Sequence, residues 1–182
     1  MKVQSRPLLT HSPWIKNPVN SGRYRPWLIE QGSLTRRLQS ASPDFCVKTS
    51  RHQYARPQVD EAELLALPWR QNALLREVHL YCNGEPVVFA HSVLPRHSLR
   101  GEWLALGKLG NRPLGAALFM NPRVTRTQLE FKKLSNHHNL YRRAVSHLAA
   151  KPRAVWARRS IFRLGRSAIM VTEVFLPQVL NL

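Results

Sequence analysis

Apolar and polar positions alternate most clearly over residues 73–95, ALLREVHLYCNGEPVVFAHSVLP, where two β-forming runs flank Asn83-Gly84. An Asn-Gly pair between such runs predicts a hairpin closed by a type I′ turn, because both central residues of that turn need positive φ. Side chains along a strand alternate with a period of two. Leu74, Arg76, Val78 and Leu80 therefore share one face of the first strand, and Leu75, Glu77, His79 and Tyr81 share the other. The first face is apolar apart from Arg76, which puts a guanidinium where a core should be. An unpaired charge there costs several kcal/mol, so the pattern calls for an acidic side chain or an anionic ligand beside it.

A second strand carries the matching misfit. In residues 168–176, AIMVTEVFL, Ile169, Val171, Glu173 and Phe175 share a face, and Glu173 is the strand's only charge. Periodicity leaves three arrangements open: an Arg76–Glu173 ion pair, an edge strand with Glu173 in water, or a closed pocket with a cation at one end and a carboxylate at the other.

The other elements follow in chain order. Residues 1–24, with Pro7, Pro13 and Pro18, predict an extended arm tacked to the body by Trp14 and Ile15, and residues 25–182 predict a single domain. WLIEQ starts a helix at Trp27 that Gly32 interrupts, and Ser33 caps LTRRLQS, with Leu34 and Leu38 on one side. Residues 45–54 read as a strand that Pro57 ends, and Asp60 caps a short helix, DEAELLAL, closed by Pro68. After the hairpin, residues 101–109 read as a helix with Gly110 as its C-cap, and Pro113 suits the first turn of PLGAALFM. The KLGNRPLG stretch between them is either a plain turn or a helix start offering backbone N–H groups to an anion. Residues 124–132 read as a strand. The basic stretch 134–153 has weak strand signal, and its YRRAVSHLAA segment forms one helical stretch. Residues 155–164 and 168–176 are antiparallel neighbours across Gly165-Arg166. Arg158 and Arg159 point to opposite faces, so one of them shares the interior with Glu173. Five or six strands joined mainly as hairpins, with short helices, make an α+β fold on an antiparallel sheet.

Composition narrows the chemistry. The chain has 182 residues and a formal net charge of +18, which admits nucleic acid, an anionic membrane surface or an anionic substrate as partner. The charge is spread along the chain, and no zinc-finger spacing, helix-turn-helix or RNP-type motif is present, so no nucleic-acid partner is expected. Cys46 and Cys82 are too few for a disulfide framework and are read as reduced thiols in a cytoplasmic protein, with no secretory signal and no apolar run long enough to span a membrane. His137, His138 and His147 are joined by no cysteine or carboxylate cluster, and no metal is expected. There is no GxSxG, no P-loop and no GxGxxG. An enzyme built this way works without a cofactor, by positioning and charge in a small cavity.

Several stretches together resemble the chorismate pyruvate-lyases of ubiquinone biosynthesis: GSLTRRL at 32–38, LLREVHLYCNGEP at 74–86, LGKLGNRPLG at 106–115, Thr125-Arg126, and ARRSIFRLGRSAIMVTEVFLP at 157–177. They occur in the family's order. The resemblance implies a six-stranded antiparallel sheet with helices packed on it and an enclosed ligand cavity under helical flaps. It implies conversion of chorismate to 4-hydroxybenzoate and pyruvate with no metal or organic cofactor. By position it places the family's ligand-binding arginine on Arg76, its glutamate on Glu173, and its main-chain contacts on Leu34 and Leu114. Arg76 then pairs with the ring carboxylate and Glu173 contacts the ring 4-hydroxyl, either as a base or only as an orienting group. Apart from the resemblance, the basic residues near the cavity, one of Arg158 and Arg159 among them, are expected to hold the substrate's side-chain carboxylate. A monomer is expected, with weak contact to an anionic membrane surface, because the next enzyme of that route is membrane-bound. Two departures stand out against the best-known member. The 134–153 segment is longer, and Ala90-His91 replaces a Gly-Arg pair.

The alternative is a non-catalytic module for small aromatic acids on the same fold, as in the effector domains of some bacterial transcription regulators. The sequence leaves no room for a winged-helix domain before residue 27, which disfavours that alternative.

Overall fold

The structure, a computed structural model, describes residues 13–68, 70–108 and 111–182. Among the described residues, seven strands form one antiparallel sheet: β1 (Cys46–Ala55), β2 (Ala73–Cys82), β3 (Glu85–Pro95), β4 (Thr125–Arg126), β5 (Glu130–Ser135), β6 (Ala154–Leu164) and β7 (Ser167–Phe175). The order across the sheet is β1-β2-β3-β7-β6-β4, with β5 also on β6. Seven strands thus replace the expected six, for a local reason. β4 and β5 lie on the same edge of β6, and the chain advances four residues from Arg126 to Glu130 while the partner strand moves three, from Phe162 to Arg159. One extra residue is a bulge, and it breaks the edge strand read over 124–132 in two.

Two hairpins meet at the centre of the sheet. Asn83 and Gly84 take φ of 51° and 76°, as the type I′ turn requires. Gly165 turns the second hairpin with φ 54°. The β3–β7 pairing joins them and sets Ala90 opposite Glu173 and Ser92 opposite Val171.

Among the described residues, six short α-helices cover the sheet: α1 (Arg25–Leu28), α2 (Leu34–Ala41), α3 (Val59–Leu64), α4 (Arg96–Arg100), α5 (Leu114–Met120) and α6 (Asn139–Ala144). One face packs against α1, α2, α4 and α5 through Leu28, Leu38, Val88, Phe175, Trp103 and Phe162. The other packs against α6 and the end of α3 through Phe89, Leu140, Tyr141, Val174, Leu65 and Met170. Both faces of β2 are therefore buried, with only Tyr81 partly exposed. None of the helices among the described residues is long and apolar enough to cross a membrane.

Local boundaries differ from the sequence reading where a side chain outcompetes the expected cap. Ser33 caps α2 as expected, its hydroxyl accepting from the Arg36 N–H at 3.3 Å. α3 is capped by Gln58 rather than Asp60, because Glu61 folds back to accept from the Gln58 N–H at 2.9 Å and completes a capping box. Gly101 ends α4 instead of opening a helix, and a 3-10 turn, Leu104–Lys108, follows. Leu109 and Gly110, the expected helix end, lie outside the described residues. Pro113 is the N-cap of α5 rather than part of its first turn. α6 is shorter than expected and starts earlier, where the His138 ring accepts from the Leu140 N–H at 3.2 Å. Residues 1–12 of the expected arm also lie outside the described residues. Ile15 pairs with Phe131 through two 2.8 Å hydrogen bonds, and Trp14 packs on the cluster around α6.

Candidate active site

The face of the sheet under α2 and α5 holds a largely enclosed cavity with a free volume of about 40 Å³. That is room for a few water-sized spheres. Its floor is formed by Arg76, Val78 and Leu80 of β2, Ala90 and Ser92 of β3, Val171 and Glu173 of β7, and Phe162 of β6. Its roof is the first turns of α2 and α5, with Leu34, Thr35, Leu114 and Gly115, and further along Leu118 and Phe119. All four residues singled out in the sequence, Leu34, Arg76, Leu114 and Glu173, line this one space.

The period of the strands places the two charges. Arg76 pairs with Ser92, and Ser92 with Val171, so these form one row across the sheet. Val78, Ala90 and Glu173 form the next row, two residues along. Two strand spacings and two residue rises separate the Cα atoms of Arg76 and Glu173 by about 12 Å. Both side chains point into the cavity, one at each end, with apolar floor between.

Arg76 is only 2% exposed, and one of its terminal nitrogens donates to the Arg112 carbonyl at 2.8 Å. Burial pulls its pKa below the usual guanidinium value. The bond to Arg112 ties the floor to the loop that leads into α5. Glu173 pairs with its strand neighbour Arg158, whose Nε donates to Oε2 at 2.5 Å. Of the two adjacent arginines, Arg158 shares the interior with Glu173. It is fully buried, and its Nη1 donates to the carbonyls of Trp27, Leu28 and Glu30 at 3.1, 3.2 and 2.6 Å. One arginine thus holds the carboxylate and fastens the end of α1 to the sheet. The carbonyls at a helix end suit a cation.

The two helix starts in the roof come unusually close. A Cβ on Gly115 would lie 2.9 Å from the Thr35 hydroxyl and 3.6 Å from that of Ser33. Glycine at 115 lets α5 begin directly against α2, with Leu34 and Leu114 as first helical residues on either side of the seam. The first N–H groups of a helix have no acceptor within it, so the seam gathers donors near the Arg76 end.

Arg126 was quoted in the sequence only as part of a matching pair. Its Nε donates to Ser160 at 2.8 Å, Nη1 donates to the Gln31 carbonyl at 3.1 Å, and its guanidinium lies over the rings of Phe119 and Phe162. Burial, with the nearby Arg158, outweighs Glu173 and Glu30 and lowers its pKa to about 10. It stands on a two-residue strand, so no periodicity marked it. Ala90 lines the cavity, while His91 points to the opposite side of the sheet.

A family model described as chorismate lyase matches residues 18–181. The chain belongs to the chorismate lyase family. A protein of Methylobacillus flagellatus named probable chorismate pyruvate-lyase is 53% identical over 169 residues, covering 93% of this chain and 95% of that protein. A namesake from Nitrosomonas europaea is 45% identical over 182 residues, the full length of both. Among solved structures, a GntR-family transcriptional regulator from Bacillus cereus superposes with a TM-score of 0.56 at 11% identity, over 74% of this chain and 93% of that one. The C-terminal domain of Yurk from Bacillus subtilis gives 0.54 at 10% identity, over 71% and 89%. At such identities the likeness is one of fold, and this chorismate lyase family member shares its sheet architecture with those two structures.

Proposed function

We propose that this chain removes pyruvate from chorismate and leaves 4-hydroxybenzoate, using Arg76 and Glu173 as the two ends of one binding frame. The observation that carries the reading is their placement. The two charges on otherwise apolar strand faces sit at opposite ends of one enclosed cavity, in a chain of the chorismate lyase family.

Arg76 takes the ring carboxylate, for which a guanidinium fork is well matched, and the N–H groups at Leu34 and Leu114 add donors to the same anion. Glu173 accepts from the ring 4-hydroxyl. Arg158 occupies its Oε2, and Oε1 makes no hydrogen bond among the described residues. In the reaction the C3–oxygen bond breaks, the C4 hydrogen leaves as a proton, and its electron pair completes the aromatic ring. The departing enolpyruvate takes up a proton to become pyruvate. Aromatisation supplies the driving force, so the protein's part is to orient the ring and balance its charges in a space that excludes water.

Arg126, rather than Arg158 or Arg159, takes the carboxylate of the enolpyruvyl arm. Arg158 has its Nε on Glu173 and its Nη1 on three carbonyls, with only its buried Nη2 making no hydrogen bond among the described residues, and Arg159 faces the other side with Glu130 and Asp60. Because α2 and α5 roof the cavity, entry and release need those two helices to part. The reading treats the chain as a cytoplasmic monomer, and sedimentation of the purified protein checks its mass.

The test follows 4-hydroxybenzoate by absorbance and pyruvate through a coupled enzyme, in the presence of EDTA. Equimolar products are expected. Arg76→Ala should lower kcat/KM by about 10²- to 10³-fold, the loss expected when a buried charge-assisted pair is cut. Saturable binding of 4-hydroxybenzoate with no turnover would instead favour a sensing module. Arg126→Gln should raise KM for chorismate while leaving affinity for 4-hydroxybenzoate, which lacks the arm, nearly unchanged.

A further inference from the structure

We propose that the back of the sheet carries a second anion site, which takes a phosphate group in a pocket walled by Arg51, Arg56, Arg142 and Arg143. The pocket has a volume of about 400 Å³ and lies on the opposite side of β2 and β3 from the cavity. Its arginines come from two distant places in the chain: Arg51 in β1 with Arg56 just past its end, and Arg142 and Arg143 in α6.

The floor of this pocket is already electrically complete. His91 is buried between two buried glutamates, its Nδ1 2.8 Å from Glu77 and its Nε2 3.2 Å from Glu61. Glu77 holds Arg143 at 2.6 Å through its other oxygen, and Arg51 lies 4.0 Å away. Glu61 accepts from the Gln58 main-chain N–H at 2.9 Å and its side-chain amide at 3.2 Å. The two carboxylates are thus taken up within the floor. Set against the two acids of this floor, the four guanidiniums and a protonated His91 leave an excess of three positive charges around one concavity.

The arginines keep donors to offer. A guanidinium has five N–H groups. Arg143 places one nitrogen on Glu77, and Arg142 is braced by the Asn136 carbonyl at 3.2 Å and by the Asn139 side chain. Burial is the main cause that pulls the Arg143 pKa below the usual guanidinium value; Glu77 opposes it, and crowding by the neighbouring Arg51 adds to it. A dianion with several acceptor oxygens relieves that crowding better than a single carboxylate, and the planar forks suit it.

The probes are inorganic phosphate and glycerol 3-phosphate at about pH 8, where the phosphate is doubly charged. Calorimetric titration is run on the full-length wild type, on Arg76→Ala, and on Arg56→Ala/Arg142→Ala, whose side chains are exposed and whose fold is checked by circular dichroism. One saturable equivalent should survive Arg76→Ala, because the cavity is not its site, and weaken about tenfold or more in the double variant. A parallel arm measures sedimentation with vesicles containing phosphatidic acid, whose phosphomonoester can carry two charges, and with phosphatidylcholine vesicles. Anionic vesicle binding lost in the double variant, without binding of the free probes, assigns the phosphate to a lipid headgroup. The proposal is overturned if neither probe nor vesicle binds saturably, or if binding is unchanged in the double variant.

Discussion

The two faces of the same central strands handle buried charge in opposite ways. Neighbouring residues split between them: Arg76 and Glu77, Ala90 and His91, Glu173 and Thr172, Arg158 and Arg159. On the back, Glu77, His91, Thr172 and Arg159 form a row across the sheet, and α3 and α6 supply Glu61, Asp60 and Arg143 to meet it. There charge closes on charge, and the result is a clasp between sheet and helices. On the front Glu173 is paired as well, with Arg158, but Arg76 and Glu173 are set about 12 Å apart by strand geometry, with apolar walls between them. Burial of a charge is common to both faces. What distinguishes the front is that its charges border one largely enclosed cavity with a mostly apolar lining.

The sharpest way to break this comparison is to delete one carboxylate from each face. Glu173→Ala strips the fully buried Arg158 of its carboxylate, and Glu77→Ala takes the carboxylate from the partly exposed Arg143 and leaves His91 with Glu61 alone. Glu173→Ala should lower the unfolding free energy by about 3–5 kcal/mol, the usual result of orphaning a buried charge, and Glu77→Ala by less. The variants should part in turnover. At temperatures where both stay folded, Glu173→Ala should lose most activity and Glu77→Ala should keep wild-type kcat within about threefold. Urea unfolding and the product assay on the same samples decide it. If Glu77→Ala were as inactive as Glu173→Ala, the back face would be part of the reaction machinery.

A smaller and more selective effect comes from pH. Burial opposes charge on His91, but Glu61 and Glu77 outweigh it and raise its pKa from 6.5 to about 9. A raised folded-state pKa means a stability contribution that is fully present below the unfolded value near 6.5 and lost as pH climbs through about 9. The change should be on the order of 3 kcal/mol. Glu61 shows the same interaction from the acid side. Burial would raise its pKa, yet the charge and hydrogen bond of His91 and the bonds from Gln58 leave it lowered. That part of the clasp is lost as pH falls through the lowered value. Unfolding free energies from about pH 6 to about pH 10 should therefore decline more steeply for the wild type than for His91→Gln. Parallel profiles would mean that His91 is not the group holding the clasp.

The contrast also explains what could be read from sequence. Arg76 and Glu173 were visible because each interrupts an otherwise apolar strand face. Glu77 and His91 were not, because alternation assigned them to a second face of β2 and β3 whose covering helices cannot be seen by periodicity. Their partners Glu61 and Arg143 sit on α3 and α6, far along the chain, and only the fold brings them in. The two hairpins and the Ser33 cap follow from local chemistry that no distant contact overrides. The helix expected over 101–109 failed for the converse reason. Ser98 bonds to the Ala168 carbonyl at 3.0 Å, a contact to the far hairpin that fixes α4 before Gly101. The choice between Arg158 and Arg159, and the role of Arg126, depended on strand register and on a bulge, neither of which is encoded in a repeat.

The smallest effect tests whether the front face must open while the back stays shut. Gly115→Ala puts a methyl group 2.9 Å from the Thr35 hydroxyl. Thr35 is buried, so it cannot simply swing into solvent. The starts of α2 and α5 must separate by a few tenths of an ångström, at a cost of about 1 kcal/mol. Because Leu34 and Leu114 flank that seam, the affinity for 4-hydroxybenzoate should fall about threefold to tenfold. If roof opening limits turnover, kcat rises as affinity falls. Thr35→Ala removes the opposing hydroxyl and should restore affinity in combination with Gly115→Ala, a coupling that a double-mutant cycle measures directly. Unchanged product affinity in Gly115→Ala would mean that the seam between the helix starts plays no part in holding the ligand. A loss that Thr35→Ala does not repair would point instead to the backbone of α5. The pH dependence of stability should be the same in all these variants, since the His91 clasp lies on the other side of the sheet.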